Sequence, residues 1–238
     1  MIRAVIFDMF ETLVTLFDGR AYLRDAMARD AGISLEQFSE LWERGEEDRT
    51  LGRITTEDHL NMIFQFYGCS GDTAKRIMEK RILRGNDVFC HPHPDIFPML
   101  RELKRKGMRL ALISNAYSDE ARLIRQSAFS EFFDVMCLSC EEGMQKPETA
   151  IFTKCLNRLG LEADQCMYVG DGGSGELFAA QKLGMFPVQA VWYLRPGTRQ
   201  PVGILEHFIQ VIAPFQVLRI MEEINEKEQR RKENENTP

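Results

Sequence analysis

Residues 4–17 read AVIFDMFETLVTLF, and the reading of this stretch decides the fold. Val5, Ile6 and Phe7 form a short apolar run suited to a buried strand, and Asp8 ends it. A carboxylate placed there can serve as a nucleophile, a metal ligand or a helix cap. Phe10 stands two residues beyond it, and Thr12 and Leu13 follow after a short turn.

Three further apolar segments have the same form, each ending in polar or glycine-containing residues: 109–114 (RLALIS), 166–171 (CMYVGD) and 187–192 (PVQAVW). A fourth, FFDVMCLSC at 132–140, reads as a strand running into a loop. Helical spacing fills the intervals at 94–106, 118–128, 148–159 and 174–183. Strand and helix alternating at this length predict an α/β fold: a Rossmann-like parallel sheet with helices on both faces. Residues 20–88 break the rhythm with helical patterns at 20–31, 34–48, 55–67 and 71–84 and no strand. The expected organisation is therefore an α/β core over 1–15 and 89–212 with a helical insert over 16–88. A C-terminal helix and polar tail over 213–238 complete the chain, with the tail expected to fray.

The chain has 238 residues, 44% of them hydrophobic, enough for a substantial core. Its net charge of −6 favours neither nucleic acid nor an anionic membrane as a partner. No apolar run approaches the roughly 18–20 residues of a spanning helix, and no N-terminal run has signal-peptide form. These features predict a cytoplasmic protein. Oligomeric state is left open by the sequence. The six cysteines show no disulfide-like framework, and Cys137 and Cys140 form the single CxxC. No second CxxC or nearby histidine pair completes a zinc site, so these two read as small buried thiols.

In open α/β sheets ligands bind at the carboxyl ends of the strands. Asp8, Ser114 with Asn115, and Gly170 with Asp171 end three predicted strands, and Lys146 lies in the loop EEGMQKPE. Two carboxylates, a hydroxyl or amide and a lysine converging on one edge suit Mg2+ and a phosphate. Glycines in VGDGGSGE, Gly172 among them, allow a sharp turn and a close approach of backbone.

In this order the segments DMFETL, LISNA, QKPE and VGDGGSGE resemble the four motifs of the haloacid dehalogenase-like hydrolase superfamily, over residues 1–212. The insert is similar to the helical cap of that superfamily's first cap class. The resemblance implies a phosphohydrolase acting on a small phosphorylated metabolite, with Asp8 attacking phosphorus to form an aspartyl-phosphate. It implies Mg2+ held by the Asp8 and Asp171 carboxylates and the Phe10 carbonyl. Ser114 and the Asn115 N–H would bind phosphate oxygens, and Lys146 would neutralise charge. Glu176, with Gly172, would support the site by pairing with Lys146 or holding metal waters.

Phe10 departs from the pattern. Most phosphatases of this superfamily carry there an aspartate that acts as general acid and base, and phenylalanine cannot move a proton. Aryl or acyl phosphates, whose leaving groups need little protonation, are then the expected substrates, unless Glu11 supplies the acid. Two alternatives follow from the same residue. Haloacid dehalogenases carry an aromatic residue at this position, although Asp171 and Glu176 beside Asp8 would repel an anionic haloacid unless a cation is present. A binding protein on a catalytically weakened core is the other, opposed by the cost of a buried charge cluster without chemistry.

The remaining distinctive residues read structurally. His91 and His93 flank a proline-rich turn rather than a zinc site, and His59 and His207 lie in helical patterns. Phe38, Leu41, Trp42, Phe64, Phe66 and Tyr67 are expected to pack the insert's helices together, with one or two able to face the substrate, and Trp192 and Tyr193 to cover a sheet edge or else flank the active site.

Overall fold

A computed structural model describes residues 1–194 and 203–235. Residues 195–202 of the expected core and 236–238 of the expected tail lie outside the described residues. Strands β1 (Ala4–Phe7), β2 (Arg109–Ser114), β3 (Val135–Leu138), β4 (Cys166–Gly170), β5 (Phe186–Ala190) and β6 (Ile209–Val211) form one sheet. Its order is β3-β2-β1-β4-β5-β6, and every neighbouring pair is parallel. The helices between β1 and β2 are α1 (Arg24–Ala31), α2 (Leu35–Arg44), α3 (Glu46–Thr50), α4 (Thr56–Phe66), α5 (Gly71–Cys90) and α6 (Ile96–Arg105). After β2 come α7 (Ser118–Gln126), α8 (Ser139–Glu142), α9 (Thr149–Leu159), α10 (Glu176–Lys182) and α11 (Gln216–Glu235).

The alternation of side chains along β1 divides the core. Val5 and Phe7 pack with α6, α7 and α11 on one face. Ala4 and Ile6 pack with α9 and α10 on the other. Buried on both faces, β1 reads as an unbroken apolar run. Helices α1, α2, α4 and α5 bury a separate cluster of their own that includes Met27, Phe38, Trp42, Leu60, Phe64 and Ile77. Ser34, Thr55 and Ser70 start α2, α4 and α5 as N-caps, each accepting from the backbone N–H three residues on. No helix among the described residues is long and apolar enough to cross a membrane.

Several elements differ from the sequence reading. Helix α5 runs past the expected stop at 84 to Cys90, so the boundary at 88 falls inside it. Inside this extension Gly85 lies against Leu123 of α7, where a Cβ would collide with Cδ1, so its lack of a side chain lets the two helices pack closely. The loop expected at 139–140 is the short helix α8. Strand β6, only three residues long, carries no alternation of its own and is held by pairing with β5. The polar tail is helical as far as Glu235. Asn225 accepts from the Ile2 N–H at 2.6 Å and Lys106 pairs with Glu222 at 2.6 Å, tying the helix to distant segments. Phe66 is not packed between helices but 74% exposed, and His207 sits in a turn.

The insert also contains a buried charge. Arg49 is fully buried with its guanidinium carbon 3.7 Å from the Trp42 ring centre, and it donates to the Trp42 carbonyl at 2.8 Å. It also bonds His59 Nδ1, which must accept because a guanidinium only donates. Burial first, and Arg49 second, hold the His59 pKa below its ordinary value. The unfolded chain therefore takes up the proton first as pH falls through about 6.5. His59 contributes a loss of stability between pH 7 and 5 that His59→Gln, whose amide oxygen still accepts from Arg49, should lack. Thermal melts followed by circular dichroism across that range check this; equal pH slopes in the two proteins would exclude His59 as the titrating group.

Candidate active site

Parallel pairing brings the strand ends together. Phe7 is in register with Leu112 on one side and Val169 on the other, so Asp8, Ser114 and Asp171 all follow at one edge. Lys146 enters the same place from the segment joining α8 to α9. Carboxylate oxygens of Asp8, Asp171 and Glu176 lie within 4.8 Å of one another. Lys146 Nζ is 2.6 Å from Asp8 Oδ1 and also pairs with Glu176.

Glu176 is fully buried at the start of α10 and its oxygens are already engaged. Oε2 accepts from the Tyr168 hydroxyl at 3.0 Å, and Oε1 from the Gly172 N–H at 3.3 Å. Gly170 must lack a side chain because Glu176 Oε1 occupies the space of its Cβ. Tyr168, which the sequence reading missed, also stands 3.5 Å from Lys146 Nζ. The signal available was a tyrosine inside an otherwise apolar strand, whose hydroxyl needs a partner once buried.

Asn115 acts through its side chain. Its amide oxygen accepts from the Lys146 N–H at 2.8 Å, and its Nδ2 donates to the Lys146 carbonyl at 3.0 Å. This clamp fixes the lysine backbone, a contribution beyond the backbone N–H that the sequence suggested. The hydroxyls of Ser114 and Thr12 are both buried and make no hydrogen bond among the described residues. An unmet buried hydroxyl costs about 1–3 kcal/mol, which favours a bound group that supplies a partner.

Charge crowding shifts the acids. Burial, reinforced by the Asp8 charge, pushes Asp171 up to about 6. Burial and Asp8 push Glu176 up to about 8, with Lys146 opposing. Burial alone would lower Lys146, but Asp8 and Glu176 outweigh it and hold the ammonium above its usual value. Three carboxylates against one ammonium leave a negative excess that a bound cation would relieve.

The residues around Asp8 have distinct roles. The Phe10 ring is half-buried and meets Phe89 edge-on at 6.3 Å. Glu11 adopts φ 56°, unusual for a residue with a side chain. Its carboxylate accepts from the Thr15 hydroxyl at 2.8 Å and the Leu16 N–H at 2.7 Å, closing the turn after β1. Trp192 donates to the Thr12 carbonyl at 2.9 Å and Tyr193 to the Leu13 carbonyl at 3.2 Å. Both therefore brace the loop that follows Asp8, flanking the site rather than covering a sheet edge. His93 Nδ1 accepts from the Asp95 N–H at 3.2 Å, and His91 Nδ1 bonds the Asp87 carbonyl at 2.8 Å, so both rings serve the local chain. Cys137 is buried on β3 and Cys140 partly buried on α8, both as free thiols.

A cavity of about 1020 Å³ opens above the strand ends, between them and the inserted helices. Lys146, Asn115, Ser174 and Phe10 line its base, and α1, α2 and α3 its walls. A buried latch closes its side: Arg81 of α5 pairs with Asp119 at 2.6 Å and Glu120 at 3.1 Å, and the Thr56 hydroxyl donates to Asp119 at 2.5 Å.

Known proteins resemble this chain in both sequence and shape. A glyceraldehyde 3-phosphate phosphatase of Methanopyrus kandleri is 26% identical over 202 residues, covering 79% of this chain and 84% of that protein. The crystal structure of a 2-haloacid dehalogenase from Pseudomonas syringae pv. Tomato superposes with a TM-score of 0.70 at 20% identity, over 94% of this chain and 99% of that one. A HAD phosphatase from Thermococcus onnurineus gives 0.59 at 22% identity, over 92% and 98%. At such identities the two structures speak for the fold alone. The family model of haloacid dehalogenase-like hydrolases matches residues 2–184. Strand order, the acidic edge with its lysine and this match agree: the chain is a hydrolase belonging to the haloacid dehalogenase-like family.

Proposed function

We propose that the protein is a Mg2+-dependent phosphohydrolase of small phosphorylated metabolites that works through an aspartyl-phosphate on Asp8. The observation that carries this reading is the crowding of Asp8, Asp171 and Glu176 around one lysine. Glu176 is satisfied by Lys146, Tyr168 and Gly172, leaving Asp8 and Asp171 as the carboxylates for a metal. They would hold Mg2+ with the Phe10 carbonyl, a hard oxygen set suited to that ion. When bound, the ion supplies Lewis-acid stabilisation of phosphoryl charge.

The chain's own groups supply the rest. An Asp8 oxygen attacks phosphorus as the bond to the leaving oxygen breaks, and water later hydrolyses the acyl phosphate to release inorganic phosphate. The Ser114 hydroxyl, which has no hydrogen-bond partner among the described residues, and the Asn115 N–H donate to phosphate oxygens. Lys146 spreads positive charge over Asp8 and the transferring group. Phe10 brings no proton, and Glu11 is occupied in its turn, so aryl or acyl phosphates are the favoured esters. The insert α1–α5 acts as the cap over the cavity, and the reading places the enzyme in the cytoplasm, acting on small molecules rather than on nucleic acid or membrane.

The related phosphatase supports this reading. Phe10, an aromatic residue where dehalogenases carry one, favours the alternative of halide displacement, which requires no metal. Calorimetric titration separates the two: one Mg2+ should bind, and Asp171→Ala should abolish binding. Mass spectrometry of acid-quenched turnover should find phosphate on Asp8. Undiminished phosphate-ester hydrolysis in excess chelator would exclude the metal-dependent mechanism, and turnover of 2-haloacids in its place would establish the dehalogenase.

A further inference from the structure

The cavity's charges are not distributed as a site for a polar metabolite would require. Four cationic side chains line it: Arg24, Arg44, Arg81 and Lys146. Each is already paired. Arg24 pairs with Glu43, Arg44 with Glu40, and Arg81 with Asp119 and Glu120. Lys146 is taken by Asp8 and Glu176 beside the phosphate position. Among the lining carboxylates, Asp25 and Glu46 form no ion pair among the described residues. A leaving group carrying its own carboxylate or second phosphate would have to compete with the partner carboxylates for a cation and would face two unneutralised acids.

Apolar side chains share the space between with the neutral polar Thr50, Tyr117 and Gln145. Phe10, Leu16, Phe17, Leu23, Met27 and Trp42 line the cavity. Arg49, 3.7 Å from the Trp42 ring centre, and the stacked rings of His59 and Phe38, at 5.7 and 6.0 Å, already pack against the indole, so it adds apolar surface rather than a further cation site. The volume, about 1020 Å³, is at the upper end for small-molecule sites and far exceeds a three-carbon body.

From this juxtaposition we infer that the substrate is a phosphate monoester whose organic part is uncharged and apolar, held along Phe10, Leu16 and Leu23. The inference rests on the phosphohydrolase reading above and adds to it the chemical class of the leaving group. Hydrophobic burial would supply the binding energy that a polar substrate would draw from ion pairs.

The test uses the whole chain with Mg2+ and para-substituted phenyl phosphates of similar leaving-group basicity. The substituents are hydrogen, ethyl, butyl and carboxymethyl. Each fully buried methylene is worth about a fourfold gain in kcat/KM, so para-butylphenyl phosphate should exceed phenyl phosphate by at least about tenfold. The carboxymethyl ester should fall below phenyl phosphate. Leu23 is the N-cap residue of α1 and makes no side-chain cap bond. Leu23→Ser removes apolar wall while offering that helix a capping hydroxyl, so the fold is not the casualty. In it the butyl-to-phenyl ratio should shrink, a change that general destabilisation would not produce. A flat series, an unchanged ratio in Leu23→Ser, or a carboxymethyl ester as good as the ethyl one would overturn the inference while leaving the phosphohydrolase standing. If none of the esters is hydrolysed, the phosphohydrolase reading fails and takes this inference with it.

Discussion

Asp8→Asn is expected to lower phosphate-ester turnover by about 10⁴–10⁶-fold, the scale seen when one member of a covalent catalytic unit is removed. An amide oxygen is too weak a nucleophile to form the acyl phosphate. The fold should survive for a reason visible at the site. Lys146 loses one charged partner but keeps Glu176, and the amide oxygen still accepts from its ammonium. Three crowded carboxylates become two, relieving the repulsion that contributes to raising Asp171 and Glu176. The melting temperature should therefore hold or rise. Steady-state turnover beside circular dichroism decides the matter; near wild-type activity in a folded variant would remove Asp8 from the mechanism.

Phe10→Asp is expected to do the opposite for one class of substrate. Without an acid, the departing oxygen carries its own negative charge, so wild-type turnover should fall steeply as leaving-group pKa rises. A carboxyl at position 10 should raise turnover of alkyl phosphates by up to about 10²–10⁴-fold and leave activated esters little changed. The gain reaches the upper figure only where the new carboxyl is oriented toward the leaving oxygen. Loss of the edge-on contact with Phe89 should cost stability of about 1 kcal/mol, so assays belong well below the melting temperature. Turnover across esters graded by leaving-group pKa, for wild type, Phe10→Asp and Glu11→Gln, supplies the measurement. Glu11→Gln should keep the wild-type slope, because both Glu11 oxygens are engaged by Thr15 and Leu16. A shallow wild-type slope that steepens only in Glu11→Gln would make Glu11 the acid.

The pH dependence of the apo site has a sign of its own. Asp171 and Glu176 titrate above their ordinary values, so their ionisation opposes folding as pH rises through about 6 and about 8. Stabilisation by added Mg2+ should accordingly be larger at pH 8 than at pH 6, as melts in its presence and absence would show. Equal stabilisation at both pH values would contradict that placement of the metal.

The amino-acid sequence by itself determined the parallel sheet, the helical insert and the placement of Asp8, Ser114, Lys146 and Asp171 at one edge. Those features are local: a buried strand reads as an apolar run, a helix as a period with its N-cap, and parallel pairing gathers the residues at strand ends. Tertiary structure alone decided the rest. The Asn115 amide holds a backbone 31 residues away. Tyr168 meets Lys146 and Glu176 across the sheet face, and Trp192 reaches the loop after β1 across 180 residues. Ile2 and Lys106 anchor α11 at Asn225 and Glu222, and Leu123 packs where a Cβ at Gly85 would stand. Each depends on a partner distant in the chain. Periodicity records which face a residue turns inward, but the group it meets there exists only once the chain has folded.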